Sequence, residues 1–267
     1  MPSTSDTVKI LRARWFNNPN LESIPALNEL LRLMGRWRAT VLVNTYVKLH
    51  GKVVYSGPFE GMEYLDYATE GCLLPRLLGC YEDELHADLA RFQNAGLRTI
   101  VDIGCAEGYY AVGLARMMPE IRVDAFDIDP KAREACADLA RRNGVEDRVS
   151  ISGEFTGDMF ERYVDQDALV IIDAEGFEDV LMNPELYPAL HRLKIIMETH
   201  PMFKPGIVDR MHARFGATHD IVVHLQGPKV PKLPQWLQDL GHLDHLIAVW
   251  EFRAGPTPWF VMTPKAG

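Results

Sequence analysis

From Tyr81 onward the chain alternates between two kinds of segment, and the alternation leaves few folds open. Short runs with hardly a polar residue, such as Ala168-Leu169-Val170-Ile171-Ile172, take turns with stretches whose apolar residues recur every three or four positions. A run of the first kind suits a strand covered on both faces, and helices between successive strands supply the covers. Helices are expected over Tyr81–Ala95, Tyr109–Met118, Pro130–Arg142 and from about Gly206 to Phe215, with short ones near Phe160 and Glu178. Strands are expected over Arg98–Ile103, Arg122–Asp127, Arg148–Ser152, Ala168–Asp173 and Leu193–Thr199. Two more candidates, Ile221-Val222-Val223 and Trp259-Phe260-Val261-Met262, flank an amphipathic stretch from Leu233 to Leu246. The expected fold is α/β: a doubly wound, Rossmann-like, mostly parallel seven-stranded sheet with helices on both faces.

The preceding residues read differently. Residues 1–20 are polar and irregular. Leu21 to about His50 then carries Leu27, Leu30, Leu31, Met34, Trp37, Val41 and Tyr46 at helical spacing, with a break expected near Gly35. Between Lys52 and Gly79 glycine and proline cut the chain into short pieces that read as strands and loops. The expectation is an amino-terminal helical cap over 1–80, suited to substrate recognition, and a cofactor-binding domain over 81–267. An exposed amphipathic helix at 21–50 can also pair with a second copy, giving a homodimer.

Charge narrows the partners. The 28 Lys+Arg stand against 37 Asp+Glu, a net of −9, and a field of that sign repels phosphate backbones and anionic lipid. Neither nucleic acid nor membrane is an expected partner. Cys72, Cys80, Cys105 and Cys136 form no C-x-x-C pair, which points to reduced thiols and a cytoplasmic location. The opening Met1-Pro2-Ser3-Thr4-Ser5-Asp6 has no basic segment leading into an apolar run, and no stretch approaches the ~18 apolar residues of a membrane span.

The chemistry concentrates at Ile100-Val101-Asp102-Ile103-Gly104-Cys105-Ala106-Glu107-Gly108-Tyr109-Tyr110, a buried strand ending in a D-x-G-x-x-x-G turn that opens a helix. Glycine lets backbone approach a ligand, and the turn falls at the carboxyl edge of the first strand, where doubly wound sheets bind ligands. A dinucleotide site prefers G-x-G-x-x-G, but here Ala106 fills the second glycine slot and acidic Glu107 follows, disfavouring a phosphate. Asp127, about twenty residues on, suits the two ribose hydroxyls of a nucleoside. Ile128 can cover the adenine face, Glu154 can accept from the adenine amine, and Phe155 packs beside it.

Together these residues resemble the class I S-adenosylmethionine-dependent methyltransferases, over about Tyr81 to Thr199. The resemblance implies Asp102, Gly104, Ala106 and Gly108 beside the methionine part of the cofactor, Asp127 at ribose, Glu154 at adenine, and S-adenosylhomocysteine as product. A narrower resemblance is to FkbM-type methyltransferases, carried by Tyr81-Glu82 before the first strand, Asp173-Ala174-Glu175-Gly176-Phe177-Glu178 after the fourth and Glu198-Thr199-His200 after the fifth. Glu107 in the turn and the amino-terminal cap depart from that pattern.

Methyl transfer requires an acceptor in line with the methyl group, so much of the work is positioning. A hydroxyl acceptor also benefits from a base, and His200 is the candidate. Asp173 and Glu175, at the end of the fourth strand, can orient an alcohol, bind an amine or join His200 around a divalent metal; the spacing alone assigns no metal ligand. Glu178, one turn further along, can join them or be simply solvated. Glu82, with Tyr81 at the start of a helix, can meet the methionine ammonium or serve as a first-turn acid. His242, Asp244 and His245 read as a solvated face, and the tryptophans as core. The expected activity is methylation of a small-molecule hydroxyl. An amine or guanidine acceptor, a nicotinamide-dependent oxidoreductase and a non-catalytic nucleoside-binding protein are the alternatives.

Overall fold

The computed structural model describes residues 3–16, 22–68 and 71–265; Met1, Pro2 and the expected helix start at Leu21 lie outside them. Seven strands form one sheet: β1 (Thr99–Ile103), β2 (Arg122–Phe126), β3 (Val149–Ser152), β4 (Ala168–Ile172), β5 (Lys194–Glu198), β6 (His219–His224) and β7 (Trp259–Pro264). Their order is β3-β2-β1-β4-β5-β7-β6. The first five are parallel, and β7 runs antiparallel between β5 and β6. Chain order runs outward in one direction from β1 through β2 to β3, and in the other from β4 to β5. The reversal between β1 and β4 opens a crevice at their carboxyl ends, the position of a ligand site in such sheets.

Helices α4 (His86–Gln93), α5 (Tyr109–Met117), α6 (Pro130–Arg142), α7 (Glu178–Leu181) and α8 (Ile207–Phe215) make the connections with the help of 3-10 turns. Pro130 opens α6 at a position where its missing N–H costs nothing, and the Asp129 side chain caps the helix by accepting from Lys131 N. Alternate strand residues face opposite layers. Ile100, Leu169 and Ile171 join one core, and Val101, Ile103, Val170 and Ile172 join the other with Phe160, Met211 and Phe215.

The preceding region departs from expectation in three places. Thr4–Arg14 is a helix, α1, because Ser3 and Asp6 form a reciprocal cap: Asp6 N donates to Ser3 Oγ at 3.1 Å and Ser3 N donates back to the Asp6 carboxylate. Helix α2 (Ile24–His50) runs through Gly35 unbroken. The glycine is there for packing, since a Cβ would stand 2.8 Å from the Trp250 ring. Among its described residues the segment 52–79 adds no strand to the sheet; it holds one bridge, Val53 to Glu63, and α3 (Leu73–Leu78), closed by Gly79 at φ +75°.

Ala39, Leu42 and Tyr46 of α2 lie in the same core as Val112 of α5 and Leu139 of α6, so the cap and one sheet layer share a single interior. The first half of α2 leaves Ile24, Leu27 and Leu31 exposed. The tail adds α9 (Gln235–Gln238) and α10 (His242–Ala248). Asp244 is no solvated acid: Arg38 grips it with two bonds of 2.6 and 2.9 Å, tying α10 to α2. Among the described residues no helix is long and apolar enough to cross a membrane.

Candidate active site

The glycine turn after β1 is shaped chiefly by its protein neighbours. Gly104 has φ +81°, and a Cβ there would fall 1.8 Å from the Asp173 carbonyl oxygen at the end of β4. Gly108, at φ +93°, faces Cys136 of α6 in the same way at 2.7 Å. Ala106 between them also adopts a positive φ, and its N–H donates to Asp127 Oδ2 at 2.9 Å. Asp129 N donates to the other oxygen at 2.8 Å, so Asp127 is pinned at the mouth of the crevice. Each carboxylate oxygen keeps accepting capacity for a ligand.

A cavity of about 430 Å³ opens over this turn. Gly104, Ala106, Asp127, Ile128, Glu154 and Phe155 line it, together with Asp173 and Glu175. Phe155 is buried against Phe126 and Phe160, with ring centroids 5.0 and 4.8 Å away, whereas Ile128 is 79% exposed and free to lie against a bound base. The size and the mixture of apolar walls with few polar groups suit a nucleoside cofactor.

Three acids meet partners that no local pattern announces. Glu107 lines a smaller space beside this cavity; it is fully buried, accepts from the Tyr64 hydroxyl at 2.6 Å and lies 3.5 Å from Arg76. Its charge is answered inside the protein, so it is not what turns a phosphate away. Glu82 belongs to no helix: it has φ +50° ahead of a 3-10 turn, and its buried carboxylate accepts from Arg253 and from the Tyr110 hydroxyl. Burial pushes that carboxyl up to about 8 against the pull of Arg253. Tyr81 covers Arg76, whose guanidinium carbon lies 3.9 Å from the ring centroid. Asp102 is buried in β1 with no partner for Oδ2, and burial raises its carboxyl to about 7.

A second cavity, of about 220 Å³, adjoins the first. Asp173, Glu175, Glu198 and His200 contribute to its lining, as do Met202, Phe203, Phe252 and Arg253. Glu178 is the third such acid and is not solvated: it is fully buried, and its Oε1 accepts from Ala174 N at 2.8 Å and meets His200 Nδ1 at 3.0 Å. The imidazole is thereby fixed, and its Nε2 stands 3.6 Å from Asp173 Oδ1, 3.6 Å from Glu175 Oε2 and 3.5 Å from Glu198 Oε2. Burial opposes the charge on His200, but Glu178, Glu198 and Asp173 outweigh it and raise the imidazole to about 11. Burial, then Glu198, pushes the Asp173 carboxyl well above the usual range.

Asp173 and Glu175 line both cavities, and Asp173 also borders a space of about 30 Å³ beside Tyr81, Asp102 and Tyr110. Glu175 and Gly176 both have positive φ, a conformation that bends the chain sharply after β4. Of the five non-glycine residues with positive φ among those described, Glu82, Ala106, Glu175 and Phe252 line these cavities. Arg253, which joins Glu82, Glu198 and Glu251, is absent from the sequence expectations. It lies 171 positions from Glu82, and no local pattern announces it.

Fold and site thus define a class, a doubly wound α/β protein with a nucleoside-sized cleft beside a smaller, acid-rich cavity. Residues 88–196 match the family model described as methyltransferase small domain. Ribosomal protein L11 methyltransferases are similar over a short stretch. That of Alteromonas mediterranea is 46% identical over 54 residues, and that of Tolumonas auensis 44% over 54, in each case 20% of this chain and 18% of the relative. The chain therefore spans about a fifth of the length of those relatives. Among solved structures, an O-methyltransferase from Bacillus cereus in complex with S-adenosylhomocysteine is 16% identical, covering 66% of this chain and 78% of that one, with a TM-score of 0.44. The O-methyltransferase TomG from Streptomyces achromogenes is 16% identical over 71% and 82%, with a TM-score of 0.45. The fold assignment rests on the chain's own strand order.

Proposed function

We propose that this protein is an S-adenosylmethionine-dependent methyltransferase of the FkbM type that methylates a hydroxyl oxygen of a small molecule. The observation that carries the reading is the wall formed by Asp173 and Glu175, which separates a cleft with Asp127 pinned at its mouth from a second cavity. When bound, S-adenosylmethionine supplies an electrophilic methyl group on a sulfonium. Asp127 accepts the ribose hydroxyls, Ile128 and Phe155 hold the base, and Glu154 accepts from its amine. The turn from Asp102 to Gly108 supports the methionine part, with Tyr81 and Glu82 behind it.

The acceptor occupies the 220 Å³ cavity, its apolar body against Met202 and Phe203 and its attacking atom toward Asp173, Glu175 and His200. Those three orient its attacking atom. Asp173 and Glu175 have no Lys or Arg ion pair among the described residues, which supports an amine acceptor as the second reading. Residues 1–80 serve as an acceptor-recognition cap and 81–267 as the catalytic domain. A cytoplasmic location is supported by four buried, unpaired cysteines.

Calorimetric titration with S-adenosylmethionine, S-adenosylhomocysteine and NAD tests the cofactor. The two sulfur nucleosides should bind and NAD should not, and Asp127→Ala should weaken binding by about 1.5–3 kcal/mol, the scale of hydrogen bonds to a charged group. Binding of NAD alone, or an unchanged Asp127→Ala, overturns the reading. An acceptor screen should include hydroxylated small molecules, amines and ribosomal protein L11, and methylation of L11 alone would sink the small-molecule assignment.

A further inference from the structure

We propose that Asp173, Glu175 and His200 form a binding site for a divalent cation on the wall between the two cavities. One ligand atom from each of the three lies within 4.8 Å of the other two. Oxygen and nitrogen ligands on an ion with bonds of about 2.1 Å sit roughly 3.0–4.2 Å apart, and the 3.6 Å from Nε2 to each carboxylate falls inside that range.

Two observations separate this cluster from a chance gathering of acids. The His200 side chain is only 6% exposed, and its Nε2 faces Asp173, Glu175 and Glu198 oxygens at 3.5–3.6 Å, longer than a good N–H···O bond. Asp173 Oδ1, opposite it, is buried without a hydrogen-bond partner. An imidazole whose other nitrogen is held by a buried carboxylate, here Glu178 at 3.0 Å, is the usual arrangement of a metal-ligating histidine.

The ligand set, two carboxylates and one imidazole, suits a hard or borderline ion such as Mg²⁺, Mn²⁺ or Zn²⁺ rather than a soft one. Three protein ligands leave coordination positions open, and because Asp173 and Glu175 line the second cavity, those positions suit an oxygen of the acceptor. Glu198, held by Arg253, adds negative charge nearby.

The test uses the full chain stripped with a chelator and titrated separately with Mn²⁺, followed by loss of the free-ion electron paramagnetic resonance signal, and with Zn²⁺, followed by calorimetry. One ion per chain should bind in at least one titration. Glu175→Gln, at a half-exposed position that does not threaten folding, should weaken it at least tenfold, whereas Glu154→Gln, further along the cofactor cleft, should leave it within twofold. No binding of either ion below millimolar concentration, or an unchanged affinity in Glu175→Gln, overturns the site. The readout needs neither cofactor nor acceptor, so its failure leaves the methyltransferase reading standing, and the reverse also holds.

Discussion

Asp102 shows how much a single buried carboxyl can shift the balance of the whole chain. Its carboxyl is raised to about 7 by burial, from an ordinary 3.8. Between those values the folded chain keeps a proton that the unfolded chain releases. Asp102 therefore stabilises the fold fully below about pH 4, and that contribution is lost as the pH rises to 7. Asp102→Asn removes the ionisation. Thermal unfolding from pH 4 to 8 should show the variant gaining on the native chain as pH rises, by as much as about 4 kcal/mol at pH 8. A gap that does not change with pH would place the titration elsewhere. At this scale the sequence disclosed residues whose position is set by local geometry. The place of Asp127 at the mouth of the cleft was legible because a strand end and a twenty-residue spacing define it. Glu107 and Glu178 were misread because their partners, Tyr64, Arg76 and His200, come from distant segments, and burial of an acid leaves no mark in its own neighbourhood.

Elements were easier to read than single contacts, since β4 is an unbroken apolar run, β1 and β5 are largely apolar, and α6 carries its own start signal in Asp129-Pro130. What escaped were the helix α1, whose cap was hidden in a polar stretch, and the continuity of α2 through Gly35. Glycine usually reads as a break, but at position 35 it accommodates Trp250, a contact no local pattern reveals. Gly104 is the opposite case, where the turn expected from sequence is present but the absent side chain makes room for β4. Gly104→Ala should cost about 1–3 kcal/mol from its positive φ alone, with more from the overlap at 1.8 Å. Denaturant unfolding of the variant checks this, and a loss below 0.5 kcal/mol, approximately the level of a neutral surface change, would mean that β4 yields freely.

The whole molecule has less modularity than a division at residue 80 suggests. The cap contributes Leu42 and Tyr46 to the interior that covers one sheet face, so cap and sheet should unfold together. Calorimetry should show one transition, and Leu42→Ala should lower the stability of the entire chain by about 2–5 kcal/mol without splitting it. Two transitions, with only one shifted, would show that the cap folds on its own. That the sheet is doubly wound and mostly parallel was legible from the alternation of segments, whereas this shared interior was not, because helical spacing shows that a face is apolar without showing what it meets. The wall at Asp173 and Glu175 has a consequence of its own. Two compartments that share charged groups cannot be filled independently: whatever net charge enters one is felt in the other, and the effect on affinity is equal in both directions. A positively charged reagent and its neutral by-product would therefore present different surroundings to the occupant next door, and the protein can tell spent from unspent without moving a strand.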